Sequence, residues 1–372
     1  MLDCTRRLAG AYAGKMLRDV GADVVVTGDR PDDVVPRAQN EAVWLWLQAG
    51  KRRVARAGVP QLQELADIVL VDTDDGPTRQ GSVTVSITDF GRSGPWADRP
   101  ASHLTLEAES GSLGSRGVPE LPPVAVGGQL GEWIAGLYAG TAALAAWRST
   151  RSSGAAEHVE VSVFECMLVT LNMHEPLHAA LAGSDAFTRW VQVPSVERTK
   201  DGWVCFSLVT GQQWQDFTVM IGRPDLGEDQ TLANMLGRWP RRHEIYAAME
   251  PWLTARTVEE VVEQAAACRL PVAHVTDGPT IAAMEHFRLR GTFTTSPHGD
   301  YRQPRPPYLF SAFTTAPPAP APQTTTGSAA LVEAWRSNTR PGMRNPDTRN
   351  PDTRNPDTRN PDTRNPDTRN PD

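Results

Sequence analysis

Residues 157–171 read EHVEVSVFECMLVTL, and two periodicities meet inside this stretch. In the first half three valines alternate with polar residues, which is the period of a β-strand. From Phe164 onward the apolar residues recur at helical spacing. The pattern predicts a strand that passes directly into a helix, with Glu165 in the first helical turn. A carboxylate there is favoured by the free N–H groups and the positive dipole end of the helix, although an ordinary first-turn glutamate fits the same pattern.

Strands and helices also alternate upstream of this stretch. The predicted elements are a short strand at residues 1–4, a helix over 8–20, strands over 22–26, 66–72 and 83–88, and a helix over 132–148. A strand-helix-strand opening of this kind predicts a doubly wound α/β fold. Gly10 and Gly14 in the first helix do not form a GxGxxG motif, so a nicotinamide site is not supported.

The pattern changes after residue 185. An Asp201-Gly202 turn signal precedes a strand, and helical patterns and a short strand at 271–275 follow, which together predict a smaller α+β domain. The predicted division is 1–190 for a large domain, 198–295 for a small inserted domain, 296–335 for a segment that returns to the large domain, and 336–372 for a tail. The tail repeats Arg-Asn-Pro-Asp-Thr without an apolar residue, so we predict disorder there.

Composition excludes several classes of protein. The net charge of −7 over 372 residues argues against a general nucleic-acid binder, because the nucleic-acid backbone is itself negative. The four cysteines form no CxxC pair, so neither a metal site nor a disulfide framework is predicted. No secretory signal or membrane-spanning run is found, and we expect a cytoplasmic protein that does not bind membranes.

The loop after the strand at 83–88 reads DFGRSGPWADRPASH over residues 89–103. Its glycines, prolines and two arginines, Arg92 and Arg99, fit an anion-binding lip at the end of a sheet strand. A solvent-exposed loop with incidental arginines fits equally well.

Several motifs together resemble the class III CoA-transferase family, which includes formyl-CoA and carnitine CoA-transferases and α-methylacyl-CoA racemases. The motifs are LDCT at 2–5, LAGAYAGKMLRDVGADVV at 8–25, GKR at 50–52, FGRSGPWADRP at 90–100, VGGQLGEWIAG at 126–136 and VEVSVFE at 159–165. The resemblance covers about residues 1–310 in the expected order. It implies a Rossmann-like large domain, a small inserted domain and an interlocked dimer.

The resemblance also implies a chemistry. In such transferases an enzyme carboxylate attacks the acyl-CoA to form a mixed anhydride and then carries CoA as an enzyme thioester. Coenzyme A and acyl-CoA are substrates, and no tightly bound cofactor is expected. Glu165 matches the family aspartate, and His103 lies next to Ser102, which matches the histidine base of the racemases. The expected CoA contacts are Leu8, Ala9, Lys51, Arg92 and Arg99.

Two family segments differ here. Asp72 to Gly76 replaces a family segment that contacts CoA, and the glycine-rich flap has no counterpart near residues 190–200. The leading hypothesis is therefore a CoA-transferase that moves CoA between carboxylic acids, as a homodimer. The alternatives are an acyl-CoA racemase or isomerase that uses His103 and Glu165, and a non-catalytic acyl-CoA-binding subunit of a hetero-oligomer with a related chain.

Overall fold

The computed structural model describes residues 1–27, 37–72, 79–171, 189, 191–299 and 301–337. Six parallel strands form its largest sheet: Leu2–Asp3 (β1), Val25–Thr27 (β2), Arg52–Val54 (β3), Ile68–Val71 (β4), Val83–Thr88 (β5) and Glu157–Ser162 (β6). Their spatial order is β3-β2-β1-β4-β5-β6. This is the order of doubly wound nucleotide-binding sheets, whose ligands bind where the order reverses, between β1 and β4. The predicted α/β class is confirmed.

Helices cover both faces of this sheet. They are Leu8–Asp19 (α1), Arg37–Gln48 (α2), Val59–Gln63 (α3), His103–Glu109 (α4), Leu130–Ser153 (α5) and Val163–Leu171 (α6), with 3₁₀ turns at Arg56–Gly58 and Leu113–Ser115. Side chains of α1, α4, α5 and α6 share one apolar core with the sheet. A Cβ on Gly136 of α5 would lie 2.7 Å from the carbonyl oxygen of Ala9 in α1. This close packing, which the small residues of α5 predict, fixes the start of α5 beside the start of α1.

A second core lies around an antiparallel sheet of Val196–Arg198 (β7), Trp203–Phe206 (β8) and Val272–His274 (β9). Its helices are Gly211–Met220 (α7), Pro224–Glu228 (α8), Gln230–Ala233 (α9), Met235–Arg238 (α10), Arg242–Thr254 (α11) and Val258–Ala267 (α12). The Asp201-Gly202 turn is confirmed, since the Thr199 N–H donates to the Gly202 carbonyl at 2.9 Å. The remaining elements are Gly278–Ala283 (α13), Glu285–Leu289 (α14), Phe293–Thr295 (β10), Arg302–Pro304 (β11) and Ser328–Arg336 (α15). Leu331 and Val332 of α15 join a core on the other face of the large sheet.

Element boundaries differ from the predictions by a few residues. The strand predicted over 22–26 is paired only from Val25, and the helix predicted over 132–148 extends from Leu130 to Ser153. Residues 73–76 of the altered CoA-contact segment lie outside the described residues, as does the repeat tail from residue 338. No helix within the described ranges is both long and apolar enough to cross a bilayer.

Candidate active site

The loop between β1 and α1 lies at the point where the strand order reverses. The Asp3 carboxylate accepts hydrogen bonds from the Thr5 N–H at 3.1 Å and the Thr5 hydroxyl at 2.8 Å. The next peptide is tied to the neighbouring strand, because the Arg6 N–H donates to Asp72 at 3.0 Å. Burial raises the pKa of Asp3, while Lys51 and Thr5 act in the opposite direction. The loop that leads into α1 is thus fixed by carboxylates from two adjacent strand ends.

Leu8 and Ala9, two predicted CoA contacts, form the first turn of α1 and are buried. The Ala9 N–H donates to Oε2 of Glu132 at 3.0 Å. The guanidinium of Arg7 donates to the other oxygen of Glu132 and, at 2.6 Å, to Asp89. Burial alone lowers the pKa of Arg7, but the two carboxylates outweigh it and the pKa is raised. A carboxylate is therefore held at the start of α1 by a backbone donor and a permanent cation.

Glu132 reaches this position because of the backbone before it. Gly127, Gly128 and Gln129 all have left-handed backbone, with φ of 75°, 64° and 54°, and α5 begins at the next residue. A Cβ on either glycine would meet nothing within 4 Å, so this stretch borders open space. Two glycines followed by a glutamate three residues after the helix N-cap are the sequence signal for this site. The motif at 126–136 matched the family resemblance, but nothing in the sequence assigned a role to Glu132.

Glu165 lies where the sequence predicted it, in the first turn of α6 directly after β6. The Ser162 hydroxyl accepts the Glu165 N–H at 3.2 Å and donates to the Asp89 carbonyl at 3.2 Å. The Glu165 side chain is exposed, and in the described part of the chain its carboxylate makes no hydrogen bond or ion pair. Burial, with a smaller contribution from Glu165, raises the pKa of the Cys166 thiol to about 11. Because Asp89 contacts both Arg7 and Ser162, it joins the Glu165 turn to the Glu132 site.

Lys51 lies beneath α1 instead of at the surface. It is 4% exposed, and its ammonium donates to the Ala11 carbonyl at 2.7 Å. Burial lowers its pKa to about 8, although Asp3 opposes that shift. In this position Lys51 supports the helix that bears Leu8 and Ala9, while a direct contact with a CoA phosphate stays a prediction.

The two predicted arginines of the 89–103 loop are both engaged by neighbours. The Arg92 N–H donates to Glu160 at 2.6 Å, and its guanidinium lies 3.3 Å from the ring nitrogens of His158. Arg99 donates to Glu109 at 3.1 Å. Their contacts anchor the loop to β6 and α4, and their roles toward a phosphate stay predictions.

His103 is the first residue of α4 and is brought to the turn that holds Glu132. Its Nε2 accepts the N–H of Gly131, the residue before Glu132, at 3.2 Å. A nitrogen that accepts this bond has its lone pair occupied, so a role as a base requires the bond to open first. The structure thus groups His103, Leu8 and Ala9 around Glu132, and Glu165 is linked to the group through Asp89.

Comparison with known proteins identifies the family of the chain. A family model described as CoA-transferase family III matches residues 81–326. A probable fatty acyl-CoA transferase of Mycobacterium tuberculosis is 27% identical over 376 residues, with 86% of this chain and 94% of the relative covered. The alpha subunit of a succinyl-CoA–L-malate CoA-transferase from Chloroflexus aurantiacus is 24% identical, with 79% of this chain and 77% of the relative covered.

The fold also matches a solved structure. The crystal structure of a CAIB/BAIF family protein from Brucella suis aligns with a TM-score of 0.76 at 20% identity, covering 90% of this chain and 97% of that chain. The resemblance predicted from the sequence motifs is confirmed. The chain belongs to CoA-transferase family III.

Proposed function

We propose that this protein transfers CoA from an acyl-CoA to a carboxylic acid through a glutamate carboxylate of the enzyme. The observation that carries the proposal is the Glu132 carboxylate, held at the start of α1 at the reversal point of a family III sheet. CoA and acyl-CoA are substrates in this proposal, and no tightly bound cofactor takes part.

The reaction proceeds by covalent steps that balance. A carboxylate oxygen of the enzyme attacks the thioester carbon, the C–S bond breaks, and CoA leaves as a thiolate while a mixed anhydride forms. The thiolate attacks the enzyme's own carbonyl carbon, which releases the first acid and leaves an enzyme–CoA thioester. The acceptor carboxylate attacks that thioester and releases the thiolate again. Attack of the thiolate on the acceptor's carbonyl gives the new acyl-CoA and restores the enzyme carboxylate.

The position of Glu132 favours it over Glu165 as the reacting carboxylate. Attack on the carbonyl carbon of the glutamyl group creates an oxyanion, and a fixed backbone donor stabilises such a charge. The Ala9 N–H already bonds Oε2 of Glu132, whereas the described residues around Glu165 offer its carboxylate no donor. Glu165, the carboxylate predicted from sequence, stays the second candidate because its side chain is exposed.

We propose that CoA binds along the β1–α1 loop. Ligands of doubly wound sheets bind at the reversal point, which here is the β1–α1 loop with Leu8 and Ala9. Arg92 and Arg99 are the cations proposed for the phosphates, since guanidinium groups suit phosphate oxygens. Both arginines would have to exchange their present partners for that role.

The predicted assembly and organisation also stay proposals. They comprise an interlocked homodimer, a small domain over 198–295 inserted into a large domain of residues 1–190 with a return segment at 296–335, and a cytoplasmic location. One similar protein is named as an alpha subunit, which favours keeping a hetero-oligomer with a related chain as the alternative. Mass photometry of the purified chain, alone and with any related chain encoded beside it, distinguishes the two assemblies.

Isotope exchange tests the proposed function without knowledge of the natural acceptor. Each acyl-CoA of a panel that includes fatty acyl-CoA and succinyl-CoA is incubated with its own ¹³C-labelled free acid, and label in the acyl-CoA is measured by mass spectrometry. Label should enter with at least one donor and should be lost in E132Q. Absence of exchange with every donor, while CoA still binds, contradicts the transferase and favours the binding subunit. Deuterium uptake at the α-carbon without exchange favours the isomerase.

A further inference from the structure

Glu107 is a buried carboxylate near the proposed site that the mechanism does not use. It lies on α4 and is 1% exposed. Its Oε1 accepts the Val126 N–H at 2.7 Å, and among the described residues no group hydrogen-bonds to Oε2. Burying a carboxylate oxygen that forms no hydrogen bond costs folding free energy. Nδ1 of His103, one helical turn earlier, lies 4.0 Å from this oxygen.

His103 continues the connection from Glu107 to α5. Because Nε2 accepts the Gly131 N–H, a neutral imidazole must have its proton on Nδ1, the nitrogen that faces Glu107. A small rotation of either side chain would bring this 4.0 Å separation within hydrogen-bond distance. Glu107 therefore binds Val126 at one end of a loop and lies 4.0 Å from the imidazole of His103, which binds Gly131 at the other end.

The loop between these two contacts requires external support. Residues 127–129 adopt three consecutive left-handed conformations, and Gln129 is not a glycine. Such a backbone is unfavourable for ordinary residues and persists only where the surroundings impose it. The end of this loop sets the direction in which Glu132 leaves α5. The two contacts hold both ends of this loop, while the Trp133 indole N–H donates to the Gly128 carbonyl at 3.1 Å within it.

We propose that Glu107 is a positioning residue that fixes the tautomer of His103, so that the pair clamps residues 126–131 and directs Glu132 to the start of α1. Its effect on catalysis rests on the proposed function, because Glu132 is the reacting group there. The clamp itself does not rest on the proposed function, because the tautomer of His103 can be observed without turnover.

The variant E107Q tests the proposal. Its amide oxygen can keep the Val126 N–H, but its NH₂ then faces Nδ1 of His103 and favours the opposite tautomer. In ¹⁵N-histidine spectra of the full chain, assigned with H103Q, His103 should be protonated at Nδ1 in the wild type and at Nε2 in E107Q. The matched control is E109Q on the same helix. The Glu109 side chain pairs with Arg99, and its replacement should leave the His103 tautomer unchanged.

Isotope exchange supplies the second readout. E107Q should lower kcat about 10-fold or more and leave KM for acyl-CoA within about 2-fold, since a displaced nucleophile slows chemistry more than binding. An unchanged tautomer in E107Q, or a changed tautomer with unaltered kcat, overturns the proposal. If E107Q does not fold, the wild-type spectrum decides by itself: a His103 protonated at Nε2 overturns the proposal. If the wild type shows no exchange, the proposed function fails while the tautomer still decides the clamp.

Discussion

Arg7 is the cation that joins Glu132 to Asp89, and its replacement by methionine tests whether these ion pairs stabilise the fold around the site. The side chains are 20% exposed for Arg7, 13% for Glu132 and 29% for Asp89. Methionine keeps much of the apolar volume of the arginine stem but removes every donor. R7M therefore leaves two largely buried carboxylates close together without the charge that now separates them.

The expected loss follows from these contacts. Hydrogen bonds to charged groups contribute roughly 1.5–3 kcal/mol each, and breaking a fully buried pair costs roughly 3–5 kcal/mol. Because both carboxylates keep some exposure, we expect R7M to lower the free energy of unfolding by about 2–4 kcal/mol at pH 7. The neighbouring R6M is the matched control: Arg6 is 63% exposed and 3.5 Å from Asp72, so its loss should be roughly 0–1 kcal/mol.

Urea denaturation followed by circular dichroism measures both variants. Equal stability of the two variants at pH 7 refutes the reasoning. In that case the contacts of Arg7 with Glu132 and Asp89 contribute nothing measurable to the fold.

Two further predictions concern the second core. Burial raises the pKa of Glu197 from its ordinary 4.5 to about 7, so the folded state favours the neutral acid, and stability present below pH 4.5 is lost as pH rises through 7. E197Q should keep the bond to the Ser195 N–H. In urea titrations its free energy of unfolding should rise relative to wild type by about 2–3 kcal/mol between pH 4.5 and 8. A difference between the two proteins that does not change with pH would count against this. Arg238 is fully buried and donates to the carbonyls of Leu208, Leu232 and Ala233. R238M should lower the free energy of unfolding by about 2–4 kcal/mol. R238K should lower it at least as much, because lysine buries a charge with fewer donors. A smaller loss in R238K than in R238M contradicts this.

The fold was largely predictable from the sequence because its strands are short and their residues alternate or are uniformly apolar. The strand at 83–88 was placed to the residue, and the change from strand to helix before Glu165 is visible in the spacing of its apolar residues. The start of β2 was misplaced by three residues, since Ala22 to Val24 precede the strand without entering its ladder and Asp23 among them pairs with Arg52. Hydrophobic pattern does not reveal which residues pair.

The site was less predictable, because its geometry depends on contacts between distant segments. Glu132 and Ala9 are separated by 123 positions and meet only because α5 packs closely on α1. Lys51 belongs to a basic segment that suggests a surface position, yet the packing of α1 covers it. Local spacing favoured Glu165, which has an equivalent place at a helix start but lacks the donors from a second helix.

The most direct test of the proposed mechanism is to locate the covalent adduct. The enzyme is incubated with the acyl-CoA that supports exchange, the thioester is reduced with borohydride, and tryptic peptides are mapped by mass. Glu132 and Glu165 lie on different peptides, residues 117–148 and 152–189. We predict a modified Glu132 that disappears in E132Q and persists in E165Q. A modified Glu165, or no adduct under conditions of measurable exchange, would contradict the assignment of Glu132 as the reacting carboxylate.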